Sequence, residues 1–387
     1  MGESKSHWFN TSGSRKGKTT KDNHQKNDYK RFSLNYADGV NTAYAFYNGS
    51  GKLYETPKIG TLNDYDDKAF GFTYNRRQDL FGLNSVFGFD YKHENGTMKG
   101  GKSNLDYDLD RDEIAPYIET TVALGAVNMD LGLRYEHWDI DEGETVDEII
   151  PRVSFNYETE SGKLLYATAG RVFTLPSFYQ LYLPMADDSY TTYYRNKDLD
   201  PEKGWTYDLG IKDTKAKNPW SFGLFYMNID NKLEYNSEKV GSKTVNQYQN
   251  RDEYRAWGIE GDVTFNLTEH WSYKQSFAWI DADIKKTSDS DWTRSDAPRL
   301  DLSGFLNYHN GAWNAELSYS YYADRDIAGG FYEADNMFIT NFAVNWKNGA
   351  HTLQLACNNL FDKEYVLDKS GYINGERRII ASWQYNF

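Results

Sequence analysis

The run Gly96-Thr97-Met98-Lys99-Gly100-Gly101-Lys102-Ser103 has the spacing of a phosphate-binding loop, in which glycine backbone N–H groups wrap a phosphate and the lysine neutralises it. Its context opposes that chemistry. The next residues alternate with period two and bring Asp106, Asp108, Asp110 and Asp112 close together, where a nucleotide cradle needs a helix N-terminus without repelling carboxylates. Taken as a calcium loop, the same acidic run has Arg111 at the glycine position and Tyr117 at the bidentate glutamate position. It reads as a solvated loop with weak divalent-ion contact at most. The histidines His7, His24, His93, His137, His270, His309 and His351 show no close metal-ligand spacing, and Cys357 stands alone, so no metal site or disulfide framework is expected. No Gly-x-Ser-x-Gly elbow occurs, although a triad assembled from distant strands stays open. No catalytic residue and no cofactor is assigned, and the chain is not expected to be an enzyme.

The elements that would position any site are strands. In the C-terminal segment Ile379, Ala381, Trp383, Tyr385 and Phe387 fall on one face, and Arg378, Ile380, Ser382, Gln384 and Asn386 on the other. Trp, Tyr and Phe on consecutive outward positions suit a face that meets lipid; an edge strand of a soluble sandwich is the alternative. From Lys30 onward paired strands are expected near 30–47, 69–92, 112–138, 149–173, 203–233, 253–283, 298–324 and 337–359, before the last strand, roughly seventeen in all. Short connections at 125–126, 159–162, 266–270, 310–312 and 348–350 alternate with longer polar ones near 93–111, 174–202, 234–252, 284–297 and 325–336. That one-sided asymmetry is the pattern of an outer-membrane barrel. The run from Trp313 to Tyr321 puts Trp, Ala, Leu and Tyr outward, leaving Asn314, Glu316, Ser318 and Ser320 for a polar lumen.

Composition agrees. Aromatic residues make up 17% of the chain, with 32 Tyr and 11 Trp against 8 Pro; such residues form strands and sit well at a membrane interface. No apolar run approaches the ~18 residues of a spanning helix. A mean hydropathy of −0.80 still allows a barrel, whose lumen and loops are polar. The formal net charge of −14 argues against a nucleic-acid partner. The fold class expected is therefore all-β, a transmembrane antiparallel barrel over residues 30–387, preceded by a polar loop or disordered arm at 1–29. Trp220, Trp271, Trp313 and Trp346 lie within a residue or two of short turns, forming either an interfacial girdle or four unrelated core aromatics. Since the first strand would run inward and the count is odd, the set reads as part of a larger barrel.

Two stretches carry a family resemblance. Asn359-Leu360-Phe361-Asp362-Lys363-Glu364-Tyr365 with the aromatic C-terminus resembles the end of a TonB-dependent outer-membrane receptor. Mid-chain, Gly170 to Tyr182, including Phe173 and Pro176, and Asn196 to Lys212, including Leu199, Pro201, Glu202 and Trp205, resemble the segments that bracket one outside loop in siderophore and haem receptors. The sequence departs from the family at Thr174, Leu175 and Lys197. The resemblance implies a plugged barrel of about 22 strands, with the plug and the N-terminal coupling box outside this chain. It implies energy-coupled transport through a TonB-type protein acting on that missing N-terminal region, with outer-membrane lipid, lipopolysaccharide and the barrel-assembly machinery as further partners. Trp383, Tyr385 and Phe387 are then expected to direct assembly.

The resemblance further implies a ferric-siderophore ligand, with haem or a cobalamin-like nutrient as alternatives within the family and a passive porin or adhesin outside it. The contact region expected is the loop 174–202, through Tyr179, Tyr182, Tyr190, Tyr193, Tyr194 and Arg195. Tyrosine offers a flat apolar face with a polar tip, and arginine could offset a chelate's negative charge. The same tyrosines could equally pack on one another. The loop has no histidine, which lowers haem.

Overall fold

The computed structural model describes residues 2–7, 24–56, 61–100, 106–182, 191–193, 196–285, 291–295, 297–325, 336–366, 373–374 and 376–386. The first part of the chain forms β1 (Gly2–His7), β2 (His24–Ala37), β3 (Asn41–Thr56), β4 (Thr61–Leu80), β5 (Leu83–Gly100), β6 (Tyr107–Leu124), β7 (Val127–Ile140), β8 (Val146–Glu158) and β9 (Leu164–Thr174). A one-turn helix α1 (Phe178–Leu181) and the short β10 (Thr191–Tyr193) follow. Then come β11 (Glu202–Asp213), β12 (Trp220–Val240), β13 (Lys243–Asn266), β14 (Trp271–Lys285), β15 (Trp292–Arg294), β16 (Leu300–Asn310), β17 (Trp313–Ala323), β18 (Met337–Asn348) and β19 (His351–Asn358). The pair β20 (Tyr365–Val366) and β21 (Ile373–Asn374) and the final β22 (Arg378–Tyr385) complete it.

One sheet holds 20 of these strands. Setting aside the short β1, β10 and β15 leaves an antiparallel meander of seventeen, the number the alternation predicts. Its register follows from the side chains. Leu34, Ala45, Phe72, Tyr91 and Ile114 stand opposite one another across five strands, so the outer face is a continuous apolar row. A slip of one residue in any strand would turn its lumen residues toward lipid. Cys357 belongs to the outer face, between Phe342 and Ile379. Phe32 and Trp383 on that face are 66% and 64% exposed, which suits a surface covered by hydrocarbon rather than water.

Tight turns close one end of the wall. Gly311 (φ +55°) and Gly349 (φ +56°) adopt left-handed backbone there, which glycine allows without steric cost. In the turn between β2 and β3, Asp38 accepts from the Val40 and Asn41 N–H groups at 2.9 and 2.6 Å. Those bonds to Asn41 and Val40 hold its carboxyl below the usual range. Beside this end Trp313 pairs with Trp346 (ring centroids 6.4 Å) and Trp271 with Tyr308 (4.8 Å), while Lys163 lies 6.0 Å from the Trp220 ring. The four tryptophans thus all lie at the tight-turn end of the wall, at or near the ends of β12, β14, β17 and β18.

The wall curls. Tyr65 of β4 and Tyr248 of β13, far apart in the meander, each bring a ring within 6.2 Å of Tyr179. Among the described residues, β22 has a ladder only with β19, and the lower part of β2 only with β3. Both run from the long-loop end toward the tight turns, so a ladder directly between them would be parallel.

Three regions differ from expectation. The stretch 93–111, expected as a long polar connection with a solvated acidic loop, is paired as far as Met98 and Tyr107, and Tyr107 and Leu109 are buried because the alternation turns them inward while the aspartates flank them. β1 pairs with the first residues of β2, Gly2 opposite Tyr29 through His7 opposite His24, where a loop or disordered arm is expected. Polar side chains do not prevent a backbone ladder outside hydrocarbon. The stretch 234–252, expected as a long loop, is instead the tip of the β12–β13 hairpin, paired as far as Val240 and Lys243. Its tyrosines explain the extension, because Tyr235 and Tyr248 face each other with ring centroids 5.3 Å apart.

Two outcomes test this architecture. On the lumen side a Cβ at Gly88 would fall on the Tyr117 ring, so Gly88→Val should lower stability by about 1–3 kcal/mol, seen as an earlier urea midpoint of detergent-refolded protein. Because the Asp38 pKa is depressed, its turn is held above the ordinary carboxylate range and loosened as pH falls through the depressed value. Asp38→Ala should therefore speed amide exchange at Val40 and Asn41 at neutral pH, and the difference from the parent should shrink in strong acid.

Candidate ligand-binding site

The long-loop end holds a small apolar core inside the lumen. Met98, Tyr107 and Leu109 on β5 and β6 meet Phe178 and Leu181 from α1, Tyr182 that caps its C-terminus, and Leu199 beyond the loop. The helix is short but well capped: Gln180 N–H donates to the Ser177 hydroxyl at 3.3 Å, and Ser177 N–H donates to Gln180 Oε1 at 2.8 Å. Gly96 makes room for it. A Cβ there would meet the Phe178 ring, so this glycine serves close packing and not phosphate binding. The surrounding run is strand to Gly100, and the next element among the described residues is the strand β6.

Arg111 ties α1 to the wall. Its guanidinium donates to Glu94 Oε2 at 2.6 Å and to the Pro176 carbonyl at 2.8 Å, and lies over the Phe178 ring at 4.7 Å. Below it Lys92 bridges Glu94 and Glu113, and Glu113 accepts from Arg134, which also pairs with Asp90 and Glu136. An ionic ladder therefore runs from the loop down the lumen wall.

Against this core stands a line of tyrosines. Tyr54 and Tyr65 are 6.1 Å apart, Tyr65 and Tyr179 6.2 Å, Tyr179 and Tyr248 6.2 Å, and Tyr248 and Tyr235 5.3 Å. The arc crosses the mouth from β3 and β4 through α1 to β13 and β12. On its β2–β5 side lies a cavity of about 1350 Å³, lined by Arg31, Lys52, Tyr54, Tyr65 and Tyr179 among others. That exceeds the 300–1,000 Å³ of ordinary small-molecule sites. It could seat a large ligand against several aromatic faces.

The expected contact residues separate. Tyr179 is 42% exposed and faces the cavity. Tyr182 is 3% exposed and belongs to the core: its ring meets Tyr107 at 5.9 Å, Lys197 lies 5.1 Å above it, and its hydroxyl lies 3.4 Å from Glu142. Burial raises the Tyr182 pKa, and the hydrogen bond to Glu142 raises that of Lys197. Lys197, a departure from the family pattern, thus closes a structural ion pair. For Tyr193 the structure describes only the backbone, opposite Asn246. Tyr190, Tyr194 and Arg195 lie outside the described residues, as does Phe387.

The motif residues prove to be anchors. Leu199 enters the core, Pro201 is buried, and Glu202 accepts from Lys232 and from the Leu233 N–H, each at 2.8 Å. Phe173 lies beneath Lys203, and Trp205 stacks on Tyr207 on the outer face. At the other motif, Asn359 (φ +52°) accepts from Lys363 N–H and donates to its carbonyl, both at 2.9 Å, while Leu360 N–H reaches Thr340 O at 2.7 Å. Asp362 accepts from Arg377 N–H at 2.7 Å, closing the base of the 358–378 loop, Tyr365 pairs with Asn374, and Phe361 stays exposed. Sequence reading missed Tyr54, Tyr65, Tyr235, Tyr248, Arg31 and Lys52. Their inward phase, opposite the outward Phe32, Leu34 and Tyr47, was the available signal for those near the start of the wall.

Gly96→Val should unseat α1 and, by leaving the strand ladder intact, change the mouth more than the barrel. The expected result is faster protease cleavage near 174–202 with an unchanged β-type circular dichroism spectrum.

Comparison with known proteins agrees with the architecture. The profile of the family described as TonB dependent receptor-like, beta-barrel, matches residues 3–360. The chain is 22% identical over 337 residues to the ferric-pyoverdine BN7/BN8 receptor of Pseudomonas putida, covering 79% of this chain and 38% of that protein. It therefore spans under half the length of that relative. Among solved structures, the ferric enterobactin receptor PfeA of Pseudomonas aeruginosa superposes with a TM-score of 0.70 at 14% identity, over 95% of this chain and 63% of that one. The copper transporter OprC gives 0.72 at 17%, over 94% and 68%; the siderophore receptor PirA of P. aeruginosa gives 0.69 at 14%, over 94% and 64%. Such identities carry the fold alone, and the lipid-facing wall is that of an integral outer-membrane barrel. With a family match over nearly the whole chain, this protein belongs to the TonB-dependent receptor-like β-barrel family.

Proposed function

We propose that the chain is the barrel of a receptor for energy-coupled uptake of a ferric siderophore across the bacterial outer membrane, and not an enzyme. The observation that carries this reading is the tyrosine arc over a large cavity at the long-loop end of a polar wall. Aromatic faces there can hold a bulky chelate without reacting with it. The relationship to a ferric-pyoverdine receptor supports the same ligand class. Haem finds less support, because no histidine lines the cavity among the described residues. In this reading a TonB-type protein drives uptake through a region beyond this chain. Lipopolysaccharide and lipid surround the wall, the barrel-assembly machinery receives β22, and Tyr190, Tyr193, Tyr194 and Arg195 add to the grip from the loop.

The test is binding by the full-length protein in detergent, followed by tryptophan fluorescence quenching against a panel of ferric siderophores and haem. At least one ferric siderophore should bind. Tyr65→Ala with Tyr179→Ala should weaken it by about 1–3 kcal/mol, roughly 5- to 150-fold, with surface expression unchanged. Tyr182→Ala should instead reduce the amount of folded protein, since it opens a buried core. Binding of haem alone, or of no iron complex at all, would overturn the assignment.

A further inference from the structure

The cavity wall has a charge opposite to that of the chain. Its lining includes Arg31, Lys52, Lys68 and Arg111 against the carboxylates Asp67 and Glu94, in a protein whose formal net charge is −14. Two of these cations are already committed. Arg111 is bound to Glu94 at 2.6 Å and Lys68 to Asp66 at 2.8 Å. Arg31 and Lys52 are different: neither has an ion-pair or hydrogen-bond partner among the described residues, and both are exposed. Glu94 is held by Arg111 and Lys92, which leaves Asp67 as the one lining carboxylate without an ion pair among the described residues.

Register places the two cations on one face. Arg31 stands opposite Asn48, and Lys52 lies four positions further along that same strand, opposite Asn27 and Tyr65. A strand rise of about 3.3 Å per residue separates their backbones by roughly 13 Å. Between and above them stand aromatic rings, with the Lys52 ammonium 4.7 Å from the Tyr54 centroid and Tyr65 next in the arc. A ligand filling this space meets a positive charge at two points and flat π-faces along its length. A neutral chelate would leave both cations unmatched, and a cationic one would be repelled.

The geometry points to an anionic aryl chelate as the ligand, a ferric complex whose iron-binding groups are aromatic and whose net charge is negative, held by Arg31 and Lys52 with Tyr54 and Tyr65 against its rings. This rests on the siderophore reading above and narrows it. The negative charge pairs with the guanidinium and ammonium groups in charge-assisted hydrogen bonds, and the aryl planes stack on the tyrosines. Asp67 works against the anion, so the two cations must outweigh it.

The probes are a ferric tris-catecholate, which is anionic and aromatic, and a ferric tris-hydroxamate, which is uncharged and non-aromatic, each titrated against the full-length protein in detergent. The tris-catecholate should bind more tightly, and its affinity should fall with added salt. Arg31→Gln with Lys52→Gln should weaken it about 10- to 100-fold, leave tris-hydroxamate binding unchanged, and leave heat-modifiable migration on gels as in the parent. Arg31→Lys with Lys52→Arg, which keeps both charges, should recover most of the loss. Equal or tighter binding of the tris-hydroxamate, or a tris-catecholate affinity indifferent to the Gln pair, overturns this inference while leaving the siderophore reading standing. Binding of neither complex nor any other ferric siderophore overturns both.

Discussion

The constraint on which this structure depends is that no backbone N–H or C=O can stand unbonded in hydrocarbon, each one costing several kcal/mol. With no long apolar helix among its described residues, the chain meets it through a strand ladder, which the seventeen-strand meander supplies from β2 to β22. Everything else follows from the pleat. Once the backbone is committed to a sheet, side chains alternate between lipid and lumen, so a protein of negative mean hydropathy can still present a continuous apolar surface. The exposed Phe, Leu, Tyr and Trp side chains are therefore the outer half of a pattern whose inner half is polar.

The inner half must satisfy itself, because a lumen wall carries charges that are only partly hydrated. Beneath α1 it does so by matching signs: Arg134 against Asp90, Glu113 and Glu136, and Lys92 between Glu94 and Glu113. Arg111 extends that network upward to the Pro176 carbonyl and the Phe178 ring. The loop helix is thus held by the wall and not by its own four residues, which are too few to be stable alone. A shape imposed on α1 by a ligand would be felt first by Arg111 and then by the carboxylates below it.

Strand number, lipid-facing residues and the tight-turn end were legible in the sequence because period-two alternation and turn residues are local signals. The mouth was legible only in part. Tyr179 and Tyr182 are neighbours on one turn of helix, yet one faces the cavity and the other is buried, a difference set by Gly96 and Met98 some eighty residues earlier. Likewise Leu199, Pro201 and Glu202 stand out as a motif without announcing that they anchor the loop on β12. The motif residues of this chain serve its fold, whereas the cavity-lining Lys52, Tyr54 and Tyr65 sit on β3 and β4, outside any motif. The hairpin at 234–252 shows the same limit, since its polar composition resembles a loop while Tyr235 and Tyr248 pair across it.

On the anionic-chelate proposal, charge distribution would give the mouth its selectivity. An acidic protein surface repels anions at long range, but screening at physiological salt confines that repulsion to about 8 Å. Within that distance a ligand entering the cavity meets Arg31 and Lys52, neither balanced by an ion pair among the described residues. Further down, beneath α1, the cations Lys92 and Arg134 are balanced by carboxylates. An anionic chelate would therefore be held where the unmatched cations are and gain little from the matched ones below, so that capture at the mouth does not become a trap along the wall. Tight binding and onward movement can coexist in one barrel only if the attraction is local in this way.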